Sequence, residues 1–286
     1  MTGDATYSAS LLRSALIVCA LALLGLSTAG CATNNSSAQK LLQPDPPGKM
    51  YATADSYLSR GRWERAARKF EDLDRDHPYA PEARRAIVMA AYSYFKAGKY
   101  PEAIATARRY TTMHPGTKDA PFAHHIIASS HFGDIRSPNR DQSATKKALA
   151  EYQILKTRYP DSKYAREADN RVRIALDSLA ASEMNVGRYY LKRGNHVAAI
   201  NRFKVVVSEY QTTQHVEEAL MRLAESYMAL GIREEAQTAV AILGHNFPNS
   251  RWYKDGYALI QSDGLAPREN TGSWLSRQFA NFKVPR

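Results

Sequence analysis

From residue 49 to residue 263 the apolar positions of this chain recur at helical spacing, as in the run Ala86, Met89, Ala90, Ser93, Tyr94 and Ala97. Side chains three and four apart share one face of a helix, so such a run buries a stripe and leaves the rest to solvent. No stretch of that region alternates apolar and polar residues as a half-buried strand does, and the pattern predicts an all-α body. A longer period is superimposed on the helical one. A small residue is followed by Ala five positions on and by Pro, or a stand-in, twelve positions beyond that. The sets are Gly61–Ala66–Pro78, Gly98–Ala103–Pro115, Ser143–Ala148–Pro160, Gly194–Ala199–Gln211 and Gly231–Ala236–Pro248, each spanning 17 residues. Bulky side chains (Trp63, Phe70, Tyr100, Tyr110, Tyr152 and Phe203) fall where the second helix of each unit would face inward.

Each position of the set has a physical reason. Gly permits the positive-φ turn that folds one helix back on another. Ala is small enough for two helix axes to approach closely. Pro cannot continue a helix, so it ends the unit and opens the connector. The pattern resembles the tetratricopeptide repeat, in which a helix pair cannot bury its apolar face alone and stacks on its neighbours. The resemblance implies a right-handed α-solenoid of five tetratricopeptide-like helix pairs. Ser143 in a Gly slot and Gln211 in a Pro slot are the two departures.

The gaps between sets are uneven. From each terminal Pro (or Gln211) to the next turn residue the distances are 20, 28, 34 and 20 residues. The breaker cluster Ser137-Pro138-Asn139-Arg140-Asp141 accounts for the second gap as a loop. The third, from Asp161 to Arg193, contains no Pro and only Gly187, which predicts a helix reaching roughly 20 Å farther than its neighbours. It would divide repeats 1–3, at 49–160, from a second part at 161–263 with repeats 4 and 5. In that second part Arg251 to Ile260 reads as a helix capping the last open apolar face. A polar, basic tail follows at 264–286, with Leu275, Phe279 and Phe282 on one stripe beside Trp274; folding back onto the body is the favoured reading.

The first 30 residues read as a signal peptide. Arg13 precedes an apolar run from Leu16 to Leu24, too short to span a bilayer. The small residues Ser27-Thr28-Ala29-Gly30 then lead to Cys31, which resembles a bacterial lipobox, although Leu26 lies two places farther from Cys31 than the usual box leucine. Cys19 would leave with the leader, so Cys31 would be the single cysteine of an exported chain, and acylation would block its thiol. Residues 31–48 are polar and proline-rich, a flexible tether to a membrane-inserted lipid. Ala32 carries no acidic retention signal of the kind that keeps enterobacterial lipoproteins at the inner membrane, which favours the outer membrane.

The formal net charge of +11 raises acidic protein, anionic lipid or nucleic acid as partners. The basic residues are nevertheless scattered along helix faces and mixed with Glu and Asp, as on a solvated surface, and no nucleic-acid partner is expected. No catalytic motif assembles: there is no phosphate-cradling Gly-rich loop, no Gly-x-Ser-x-Gly elbow and no His-Glu-x-x-His. His124, His125 and His131 cluster, but no Cys or carboxylate completes a tetrahedral set, so polar packing is the reading there. A binding module without cofactor or metal is expected rather than an enzyme.

Four stretches go beyond generic repeat chemistry: Tyr51-Ala52-Thr53-Ala54, Arg158 to Tyr164, Val186 to Gly194, and Ala199-Ile200-Asn201-Arg202-Phe203. With the leader, the loop and the lengthened helix, they resemble the BamD family, the lipoproteins of the outer-membrane β-barrel assembly machinery, over about residues 49–260. His77-Pro78 departs from the family's more usual Tyr-Pro. The resemblance implies a lipid-anchored scaffold on the periplasmic face of the outer membrane. Its C-terminal repeats would contact the periplasmic domains of the barrel subunit BamA, other assembly lipoproteins would join, and its N-terminal repeats would receive unfolded outer-membrane β-barrel proteins. Arg202 looks like the family's arginine for an acidic residue of the barrel subunit. A periplasmic repeat lipoprotein of cell division, peptidoglycan or pilus and secretin assembly is the alternative.

Overall fold

A computed structural model describes residues 44–280 and Phe282. The leader and most of the tether, Cys31 included, therefore lie outside the described residues. Among the described residues twelve helices and no strand occur. The first ten form five antiparallel pairs: α1 (Pro47–Ser59) with α2 (Trp63–Asp76), α3 (Pro81–Lys96) with α4 (Tyr100–Met113), α5 (Ala120–Gly133) with α6 (Ser143–Arg158), α7 (Lys163–Lys192) with α8 (His196–Glu209), and α9 (Val216–Ala229) with α10 (Arg233–Asn246). Then come α11 (Arg251–Ser262) and the short α12 (Trp274–Phe279). Each of the ten packs on its neighbours in sequence, and the first helices α1, α3, α5 and α7 also touch in succession. This is the all-α stacked-pair solenoid that the repeat predicts.

The five repeated alanines, Ala66, Ala103, Ala148, Ala199 and Ala236, are all fully buried at the close approach of paired helices. Phe70, Tyr110, Tyr152 and Phe203 are buried with them, whereas Trp63 and Tyr100 sit half-buried at the first turn of their helices. The second helices all stop in one way. His77, His114, Tyr159, Tyr210 and Phe247 leave the helical region with φ between −136° and −129°, each N–H still donating to the carbonyl four residues back. A following Pro disfavours the helical region for the residue before it, which accounts for four of the five. Tyr210 does the same before Gln211, its ring packed on the core of pairs 4 and 5, so packing replaces proline there.

Gly61, Gly98, Gly194 and Gly231 turn at φ of 69°, 73°, 71° and 75°. Ser143 is the exception, and the reading of its slot as a turn is corrected. It is the first residue of α6, and the chain reverses through 134–142 instead. That loop rests on the long helix, where Asn185 Nδ2 donates to Asn139 Oδ1 at 2.7 Å and Ser178 Oγ to Gln142 Oε1 at 3.4 Å. At Gly231 a Cβ would meet no atom within 4 Å, so the cost of a side chain there is purely conformational. Gly231→Val is expected to lose ~1–2 kcal/mol. Hydrogen exchange should show the loss concentrated in α9 and α10, because solenoid contacts are between neighbours; unchanged protection there would contradict the turn's role.

At 30 residues α7 is about 45 Å long, and it takes part in two cores. Ala168 joins Ala128, Ala148, Tyr152 and Leu155 of the third pair, whereas Ala180 and Met184 belong to the core of pairs 4 and 5. Beyond α11 the chain folds back over the second helices of those last pairs. Gln237 Nε2 donates to the Ala266 carbonyl at 2.7 Å, Ser273 Oγ to Glu235 Oε2 at 2.7 Å, and Gln211 Nε2 to the Gln278 carbonyl at 3.0 Å. Leu275 and Phe279 are buried in the same core, with Phe282 packed against it.

Candidate partner-binding surfaces

The two most specific sequence stretches, 186–194 and 199–203, meet where the end of α7 packs on the start of α8. Phe203 turns inward and is fully buried; Arg202, one position earlier, is rotated ~100° away. Its side chain is 45% exposed, and Nη1 donates to Glu183 Oε2 of α7 at 3.1 Å. A groove of about 300 Å³ runs beside it, lined by Tyr190, Ala198, Asn201, Arg202 and Val205. Tyr189 is 53% exposed, with the Arg193 guanidinium 4.6 Å from its ring centroid. Val197, one turn before Asn201 on α8, is 60% exposed. Tyrosine and arginine around small apolar residues is the composition of an interface centre, the ring burying much area at modest entropic cost and the guanidinium offering a planar fork of donors. The exposed Glu183 pair is worth little in water and is readily exchanged for another carboxylate.

A second polar group joins α7 to α9. Arg188 Nε and Nη2 donate to the two carboxylate oxygens of Glu218 at 2.8 and 2.5 Å, while Nη1 donates to Asn185 Oδ1 at 2.9 Å. Arg222, stacked on Trp252 of α11 at 5.4 Å, adds a longer contact to Glu218 at 3.5 Å and pairs with Glu225 at 2.7 Å. Burial alone would raise the Glu218 carboxyl, but the hydrogen bonds and charge of Arg188, with Arg222, outweigh it and hold the group below the ordinary glutamate range. A depressed carboxylate contributes stability above its unfolded-state value and loses it as pH falls through the folded one. Arg188→Met should therefore cost ~1–2 kcal/mol at neutral pH, less than a fully buried pair because Arg188 is partly exposed. In denaturation curves the gap to the parent should close as pH drops below about 4; a gap independent of pH would assign the loss to packing alone. This network was not singled out from sequence. Its only signal is the spacing of Glu218, Arg222 and Glu225 on one helix face.

In the second, third and fourth pairs the first helices carry aromatic rings side by side. Tyr92 of α3 lies 5.6 Å from Phe122 of α5, which stacks at 5.3 Å on Tyr164 of α7, with His125 at 4.8 Å from the same ring. Arg85 joins the row, donating to the Tyr51 hydroxyl at 3.2 Å and pairing with Asp119 at 3.6 Å. These rings are half-buried, so each is partly open to solvent. His124 Nδ1 and Arg108 Nη2 hold the two oxygens of buried Glu151 at 3.1 and 3.0 Å, and burial lowers the pKa of His125 and His131. Among the described residues no three His, Cys, Asp or Glu side chains are grouped to hold a metal ion.

A stack of helix pairs, carrying an aromatic row on α3, α5 and α7 and a tyrosine–arginine surface on α7 and α8, places the chain in the α-solenoid class. Within that class the chain belongs to the YfiO family of outer membrane lipoproteins, whose model matches residues 43–243. It is 40% identical over 255 residues to a Caulobacter vibrioides protein named outer membrane protein assembly factor BamD, covering 89% of this chain and 83% of that one. Proteins of the same name from Rickettsia prowazekii and from Neisseria meningitidis serogroup A are 36% identical over 246 residues and 32% over 239. Those alignments cover 86% and 79% of this chain and 97% and 90% of the relatives.

Proposed function

We propose that this protein is a lipid-anchored, periplasm-facing scaffold of outer-membrane β-barrel assembly, acting by binding rather than by catalysis. The observation that carries the reading is the likeness, along nearly the whole body, to proteins named as outer membrane protein assembly factors. The surfaces fit it. The tyrosine–arginine surface of α7 and α8 suits an acidic patch on the periplasmic domains of a BamA-type barrel subunit. The aromatic row on α3, α5 and α7 suits an extended segment of an unfolded barrel protein, whose alternate side chains can seat between rings. Cys31 carries the lipid that holds the body at the outer membrane, and other assembly lipoproteins complete the complex.

Affinity capture from detergent-extracted membranes, read by mass spectrometry, tests this reading. A barrel subunit with tandem periplasmic domains should co-purify; a septal enzyme or a pilus secretin in its place would overturn it. At the residue level, Arg202→Glu should weaken the complex with the barrel subunit at least tenfold, since truncating one partner of an interfacial charge pair commonly costs ~2–5 kcal/mol. Helix content and melting temperature should hardly change, because the side chain is half exposed. Unaltered affinity would return Arg202 to the ordinary surface charges.

A further inference from the structure

The turns of the first two helix pairs form a strongly basic edge that the partner surfaces do not use. Segments 60–69 and 96–100 hold Arg60, Arg62, Arg65, Arg68, Lys69, Lys96 and Lys99 against a single carboxylate, Glu64. All of these cations except Lys69 are exposed. Glu64 is shared between Arg68 at 3.5 Å and Lys99 at 4.0 Å, while Arg60, Arg62 and Arg65 form no ion pair among the described residues. Between the two turns lies an open cleft of about 590 Å³, lined by Arg62, Trp63, Glu64, Arg65 and Arg68 with Gly61 and Ala97. Trp63 is half-buried in it with Lys96 Nζ 5.4 Å from its ring.

The edge is not basic along its whole length. At the turn of the fifth pair the exposed residues include Leu230, Ile232 and Arg233, the last paired with Asp263 at 3.5 Å, and Glu234 and Glu235 follow. The turn of the fourth pair carries Lys192 and Arg193 as well, so the densest group of exposed cations lies on the first two pairs, at the end of α1 opposite Pro47. Basic side chains around an interfacial tryptophan suit a bilayer surface, where anionic headgroups attract Lys and Arg and the indole ring settles at headgroup depth.

We propose that this edge, centred on Arg62, Trp63, Arg65, Lys96 and Lys99, docks onto anionic phospholipid headgroups and holds the first two pairs against the membrane. The geometry of the patch stands by itself, whereas its closeness to a bilayer rests on the proposed lipid at Cys31.

The test uses the protein purified from membranes and placed in nanodiscs of phosphatidylcholine, alone or with phosphatidylglycerol. A water-soluble amine reagent modifies its lysines, and mass spectrometry reads the rates. In anionic discs Lys96 and Lys99 should react at least ~3-fold more slowly than in neutral ones, with exposed Lys146 and Lys147 unchanged and the protection lost at high salt. The double variant Arg62→Glu, Arg65→Glu should react at the unprotected rate in both. Equal rates in the two discs, or equal slowing at all four lysines, would overturn the proposal. Protection given by soluble polyglutamate but not by discs would replace the membrane with an acidic peptide. Failure to enter neutral discs at all would instead sink the lipid at Cys31. The edge would then be tested by sedimenting the chain with phosphatidylglycerol vesicles, where binding no better than to phosphatidylcholine vesicles overturns it.

Discussion

Gly187→Val is expected to destabilise the C-terminal repeats by about 3 kcal/mol, at the upper end for overpacking a core. Gly187 lies inside α7, where glycine is otherwise a poor choice by roughly 0.5–1 kcal/mol against alanine. The reason for it is Phe203. A Cβ at 187 would sit 2.4 Å from Phe203 Cε1 and 2.8 Å from Cδ1 and Cζ, and that ring is fully buried. Either α7 and α8 separate, opening the groove beside Arg202, or the ring leaves its rotamer. Chemical denaturation of the single variants and of Gly187→Val with Phe203→Ala checks this. The double variant should lose clearly less than the sum of the two singles, because the alanine removes the clash. Additive losses would mean that the two positions do not meet.

The double variant Leu275→Ala, Phe279→Ala should cost about 4 kcal/mol, mostly in the fourth and fifth pairs. Both side chains are buried against α8, α10 and their neighbours, and truncations of this kind commonly cost ~2–5 kcal/mol each in a core. The lower part of that range applies because α12 has only six residues and lies at the periphery. Trp274, over which Lys204 Nζ stands at 4.2 Å, should lose its fixed environment and report the change by fluorescence. Since neighbouring pairs carry the coupling, amides of α1 to α4 should keep their protection. An unchanged melting temperature with intact protection in α10 would show that the tail merely rests on the surface.

The helix pairs were legible because the repeat encodes geometry directly. Ala66, Ala103, Ala148, Ala199 and Ala236 each mark a close approach, and the four turn glycines each take positive φ. The pattern misled at Ser143, where a spacing of 17 residues is kept although the turn has moved into the preceding loop. Spacing fixes where the second helix packs, not how the chain arrives there. The helical phase that buries Phe203 also told that Arg202 faces away from the core. It did not reveal Glu183 as its partner, nor the Arg188–Glu218 bridge, since both join residues 19 to 30 positions apart on different helices. The aromatic row was hidden for the same reason: Tyr92, Phe122 and Tyr164 look like ordinary core aromatics until the first helices are set side by side.

The claim that this chain serves outer-membrane barrel assembly is tested most directly by depleting it in the cell that makes it and following newly made barrel proteins. Folded barrels resist unfolding in cold detergent and migrate as compact species on gels, so the folded fraction in the outer membrane can be counted as depletion proceeds. The account predicts that this fraction falls for barrels of many kinds while lipoproteins without a barrel keep their levels, and that unfolded barrel chains collect in the periplasm. Undiminished barrel folding after the protein has gone, with defects confined to septum or pilus, would contradict it.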